Sequence, residues 1–225
     1  MKYIRKGAEP ASFSAWKLLA NNEWQPNWDN FSKPQKKDVH ETLLREQGYI
    51  CCYCGMRINI TSSHIEHFKP RKLFPGFTLE YSNLLASCPG EGEERSTKQL
   101  SQLPLRSEHC GHQKSEWYNP NLTVSPLQEN CAEFFRYTAF GEILPTDDLL
   151  MQAAGQETIE RLGLNNSKLE ATRRRQLQRS LPLLDGLTDT EIQKLVEGYE
   201  QLDSNGQYTP FCAAIIYILK QYFVT

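Results

Sequence analysis

Cys51 and Cys54 form a Cys-x-x-Cys pair, and two further thiols follow at Cys88 and Cys110. Two sulfurs from one tight turn can face a single ion. Four thiolates close a tetrahedral site with no open position, so the set reads as a structural zinc staple and not as a catalytic centre. The second pair is widely spaced, with a polar stretch from Pro89 to His109 looped out between Cys88 and Cys110. Closure entropy grows only slowly with loop length, so the spacing is tolerable. Between the two halves lies Ile65-Glu66-His67-Phe68-Lys69-Pro70. On a strand, alternation sends Glu66 and His67 to opposite faces, so both can serve one site only where the strand ends, and Pro70 supplies an end. There a carboxylate can hold a hard divalent cation while a neutral imidazole accepts a proton from water, the division of labour that phosphodiester hydrolysis needs.

Four of the five histidines lie between His64 and His112. His64 shares a strand face with Glu66 and is either a second metal ligand or a surface residue. His64-Ile65-Glu66 also matches half of the zinc-deaminase signature, but the downstream Pro-Cys-x-x-Cys half is missing. His109 abuts Cys110 and is an alternative zinc ligand. Asn83 precedes Leu84, where it could cap a helix. Lys69, Arg71, Lys72 and Lys114 suit phosphate contact. No Gly-x-x-x-x-Gly-Lys-Ser/Thr loop is present, so any ATP dependence belongs to another subunit.

With the cysteine quartet, Glu66-His67, Asn83 in Tyr81-Ser82-Asn83-Leu84-Leu85, and Cys110-Gly111-His112-Gln113-Lys114, the chain resembles the HNH endonuclease superfamily, whose ββα-metal motif lies inside a zinc staple in many members. The resemblance implies His67 as general base, Glu66 as a ligand of the catalytic Mg²⁺ or Mn²⁺ where most members have Asp, and Asn83 as the brace of the loop that positions the base. It implies His112 as the last metal ligand, one position beyond where many members carry it because Gly111 follows Cys110. The implied products carry 5′-phosphate and 3′-hydroxyl ends. Met1 to Pro10, the Gln47-Gly48-Tyr49-Ile50-Cys51 approach, and Leu162-Gly163-Leu164-Asn165 with Leu169 and Arg173 resemble the retron-associated and Septu-type, PtuB-like HNH proteins of bacterial anti-phage systems. Those proteins work with an ABC-type, PtuA-like ATPase, and the retron association adds a reverse transcriptase and its RNA–DNA product as partners. The rival reading is a zinc-stapled adaptor that binds a protein or nucleic acid without cutting it.

Several elements must position these residues. Phe13, Trp16, Leu19 and Ala20 recur at helical spacing behind Ser12 as a cap, and a second helix over about Pro34 to Gln47 turns Val39, Leu43 and Leu44 to one side. Trp24, Trp28 and Phe31 read as packing residues of an ordered loop between them. Residues 46–120 are expected to form the nuclease core. Short strands are expected around Phe134 to Tyr137 and Ile143-Leu144. Ile192, Leu195, Val196, Tyr199 and Leu202 mark a helix, and Thr209-Pro210 precedes a last helix, apolar nearly all round, from Phe211 to Phe223. The expected fold is α+β and mainly helical: a zinc-stapled ββα-metal core between an N-terminal helical extension (1–45) and a mostly helical partner-docking region (121–225).

Composition sets the outer bounds. A chain of 225 residues with 39% hydrophobic content can bury a sizeable core. Its start lacks the apolar segment of a signal peptide, and its longest apolar run, Phe211 to Leu219, is too short to span a bilayer. Four of seven cysteines in ligand positions favour a reducing cytoplasm over a disulfide scaffold, with Cys212 as a core thiol. A net charge of −2 does not mark a dedicated nucleic-acid binder. Lys and Arg number eight against five Asp and Glu from Met1 to Arg45, but two against six from Ser180 to Thr225, so nucleic-acid contact is expected from the first two thirds or from a partner. Arg173 falls within an apolar helical stripe, whereas Arg174 and Arg175 point away from it.

Overall fold

The computed structural model describes residues 1–90, 108–181 and 186–222. Helix α1 (Ala11–Lys17) starts directly behind Pro10, whose carbonyl accepts from Phe13 and Ser14 N–H. The start is therefore set by the fixed φ of proline and not by a Ser12 cap. The helix stops at Lys17, so Leu19, expected on its buried face, is 61% exposed. Phe13 and Trp16 do go inward. They meet Phe31 at ring-centroid distances of 4.9 and 5.0 Å, and Trp24 and Trp28 close the cluster against Trp16 and Phe31. Helix α2 (Gln35–Glu46) buries Val39, Leu43 and Leu44 as its periodicity predicts.

Gln47, just past α2, uses its side-chain amide as a strand would use its backbone. It accepts from Ala86 N–H at 2.7 Å and donates to Ala86 O at 2.8 Å and to Ile50 O at 2.9 Å. This docks the cysteine turn onto the central hairpin of β1 (His64–His67) and β2 (Leu84–Ser87), which pair antiparallel with Glu66 opposite Leu85 and His67 opposite Leu84. Leu84 therefore begins a strand, and Asn83 caps no helix there. The single turn α3 (Gly111–Lys114) completes a ββα unit. Most of the polar stretch between Pro89 and His109 lies outside the described residues.

Beyond the core, β3 (Phe135–Tyr137) and β4 (Ile143–Pro145) form the second antiparallel hairpin, at the two places the sequence marks. Four helices follow: α4 (Gln152–Arg161), α5 (Ser167–Ser180), α6 (Asp189–Glu200) and α7 (Cys212–Tyr222). Asn166 caps α5, and a Thr188–Glu191 capping box starts α6. Helix α6 ends at Glu200, which leaves Leu202 outside it and 47% exposed. Helix α7 packs on α6, α5 and β3 and buries Cys212, Ile215, Ile218 and Leu219, while residue 223 lies outside the described residues.

The corner between α4 and α5 braces the core. Leu162 O accepts from Cys110 N–H at 2.7 Å, and the Asn165 side chain pairs with both backbone groups of Ile143 at 2.8 and 2.9 Å. Arg173, wholly buried, donates to Leu164 O at 2.8 Å and to Gly141 O. The fold is thus the mixed α+β one expected, with a ββα unit clasped by helices. No helix among the described residues is long and apolar enough to cross a membrane.

Candidate active site and metal centre

Cys51, Cys54, Cys88 and Cys110 are all buried, and their ligand atoms lie within 4.8 Å of one another. Cys51 and Cys54 come from the turn that Cys51 N–H closes onto Met56 O at 2.8 Å, Cys88 follows the end of β2, and Cys110 opens α3. Four converging soft sulfurs without a disulfide are the donor set of a structural Zn²⁺, and the residues present fit that ion. His109 Nδ1 stands 3.2 Å from Cys110 Sγ and 3.7 Å from Cys88 Sγ, at the rim of the quartet.

One layer away, β1 presents the second cluster. Glu66 is 7% exposed, and its Oε1 accepts from Lys114 Nζ at 2.7 Å and from Tyr53 Oη at 3.1 Å. Oε2 faces His64 Nε2 at 3.6 Å. Burial pushes the Glu66 carboxyl up, but His64 and the Lys114 charge outweigh it and hold the group below its usual range. The close pass of α3 requires a glycine. A Cβ at Gly111 would stand 2.6 Å from Glu66 Oε2 and 3.0 Å from His64 Nε2, so the residue after the last cysteine has no room for a side chain in this arrangement. His112 comes next and stacks its ring on His64, at 4.9 Å between centroids and 16° between planes. Among the described residues, the group of ligand atoms that could hold an ion as it stands is the cysteine quartet, and His64, Glu66 and His112 do not form a second one.

His67 ends β1, where the pairing permits it to join Glu66 at one site. Its Nε2 lies 3.0 Å from Thr78 O, which as a pure acceptor fixes the proton on Nε2 and leaves Nδ1 with its lone pair. Burial, opposed by that hydrogen bond, takes the imidazole down to about 4. The Trp28 and His67 rings meet edge to face, with planes 75° apart and centroids 4.3 Å apart. Asn83 ties together the loop after β1: its Oδ1 accepts from Lys69 N–H at 2.7 Å, and its Nδ2 donates to Lys69 O at 3.0 Å and Phe77 O at 3.1 Å.

A cleft of about 580 Å³ opens over these groups, lined by His64, Glu66, His67, Arg71, Lys72 and Lys114 among others. The candidate phosphate contacts divide there. Arg71 is exposed, and Lys69 lies over the Phe77 ring at 4.0 Å. Lys114 does not face solvent: its side chain is 1% exposed and committed to Glu66 and to His67 O, at 3.0 Å, because α3 turns its last residue inward beneath β1. Lys114 is therefore a partner of Glu66 in this arrangement. Tyr53 and Trp28 complete the cluster without a local signal in the sequence.

No family model matches the chain. Over 154 residues, covering 66% of this chain and 68% of the other, it is 29% identical to a Vibrio cholerae serotype O1 biovar El Tor protein described as "Retron Vc95 putative HNH endonuclease". With a ββα unit beside a buried cysteine quartet, this likeness makes the chain a distant homologue of a retron-associated protein of the HNH superfamily.

Proposed function

We propose that the chain is a metal-dependent endonuclease of the HNH type that hydrolyses phosphodiester bonds of nucleic acid. The observation that carries this reading is His67 at the end of β1, with Nε2–H tied to Thr78 O and Nδ1 left with its lone pair. In the mechanism, Nδ1 takes the proton of the attacking water as general base. Asn83 holds the loop that carries Thr78, so the imidazole keeps one tautomer and one orientation. Glu66, through the Oε2 that Lys114 and Tyr53 leave free, and His112 would hold a Mg²⁺ or Mn²⁺ ion. Such an ion would supply charge stabilisation at the scissile phosphate and the leaving oxygen.

The test is cleavage of labelled DNA and RNA pools. His67→Ala should lower the rate by about 10²–10⁴ while zinc content and circular dichroism stay unchanged, and cleavage at the wild-type rate would remove His67 from the role. The ion pair between Glu66 Oε1 and Lys114 is the one feature that favours a non-cutting adaptor, because it already satisfies half of the carboxylate. Absence of cleavage under every metal tried would favour that reading.

We further assign the chain to an anti-phage complex with an ABC-type ATPase. Docking would use the C-terminal region, where the half-buried Ile216 and Tyr217 of α7, with Phe135 and Met151, line a groove of about 650 Å³.

A further inference from the structure

Two cations lie over one indole, and one of them, Arg71, lines the cleft. Lys36 Nζ, from the first turn of α2, lies 4.6 Å from the centroid of Trp28, and Arg71 Cζ, from the loop after β1, lies 5.2 Å from the same centroid. The same indole meets His67 with ring centroids 4.3 Å apart. Neighbouring lysines are neutralised: Lys37 pairs with Glu41 at 3.5 Å and Lys72 with Glu116 at 3.0 Å. Among the described residues, neither Lys36 nor Arg71 forms an ion pair. Burial, reinforced by the Arg71 charge, pulls the Lys36 ammonium below its usual range. Two cations that share one indole without a carboxylate partner repel each other, and a bound anion would relieve that cost.

We propose that Lys36 and Arg71 form a clamp for a backbone phosphate of the nucleic-acid strand, with Trp28 as the rigid plate that sets their spacing. The inference rests on the nuclease reading and adds to it a binding residue from the N-terminal extension. A phosphate gripped there lies on the side of the cleft that carries the candidate base, since the same indole meets the His67 ring. Such a contact positions the strand and reads no base, so it is sequence-tolerant. It also gives a chain of net charge −2 a local positive site where the chemistry needs one.

The test is binding of a fluorescently labelled oligonucleotide by the wild-type chain across a salt series, without added divalent cation. Lys36→Gln and Arg71→Gln should each weaken binding several-fold and lower the slope of log K against log salt by about one, and the double variant by about two. Lys36→Arg should retain both. Lys36→Gln should melt at the wild-type temperature or above it, because it removes a repulsion, whereas a merely structural lysine would lower it. A double variant with wild-type affinity and slope overturns the clamp even if the chain cuts. A fall in slope in a chain that cuts nothing upholds the clamp and removes only the nuclease reading.

Discussion

Lys114 Nζ lies 2.7 Å from Glu66 Oε1, with the two side chains 1% and 9% exposed. Because Lys114 also donates to His67 O, this one ammonium pins α3 to the last two residues of β1 and turns Glu66 so that only Oε2 looks toward His64. Removing one member of a buried pair leaves the other charge uncompensated. Lys114→Met should therefore destabilise the fold by about 3–5 kcal/mol in urea unfolding. Glu66→Gln combined with Lys114→Met should recover part of that loss, since the stranded charge is gone. A double variant no more stable than Lys114→Met alone would show that the pair contributes packing only.

Short-range spacing made much of this site legible. The cysteine turn and Glu66 with His67 at the end of a strand before Pro70 are local patterns whose geometry follows from strand alternation and tight turns, whereas Asn83 reads as a helix cap and instead precedes the returning strand. The parts that were not legible depend on tertiary approach. Lys114 reads as a surface lysine until α3 turns it beneath β1. Trp28 reads as generic loop packing until α1 and α2 fold it onto His67. Gly111 looks like a slipped register, yet at 2.6 Å from Glu66 Oε2 any Cβ would strike the carboxylate. Leu19 failed for a local reason: helical periodicity continued past Lys17, but α1 did not.

Arg173 supplies a prediction about the staple. This guanidinium is wholly buried with two backbone carbonyls as its acceptors, while its Nε has no hydrogen-bond partner. Burial lowers its pKa, and the anionic forms of Tyr137, Cys54 and Cys110 act against that. Four zinc-bound thiolates carry a formal excess negative charge, so a buried cation in their field stabilises the loaded site. Arg173→Met should speed zinc transfer to a chromogenic chelator. It should also destabilise the fold by about 1–3 kcal/mol for each carbonyl left without a donor. An unchanged release rate would separate Arg173 from the metal and leave it a purely structural link between the hairpin and the α4–α5 corner.

His67 makes stability depend on acidity with a definite sign. Burial lowers its folded-state pKa to about 4, below the value of about 6.5 that an exposed imidazole has in the unfolded chain. Between these values the unfolded chain binds a proton that the folded chain refuses, so acidification favours unfolding. The His67 contribution to stability is therefore fully present above pH 6.5, falls through the interval down to about pH 4, and is constant below it. His67→Gln lacks this term. The stability of the variant relative to the wild type should rise as pH falls from 6.5 toward 4, measured by urea unfolding in matched buffers. The imidazole resonances of the wild type should show a neutral ring throughout physiological pH. A ring that titrates near 6.5 in the folded protein, with a stability difference independent of pH, would mean that His67 is solvated, and Trp28 would then not shield the base from water.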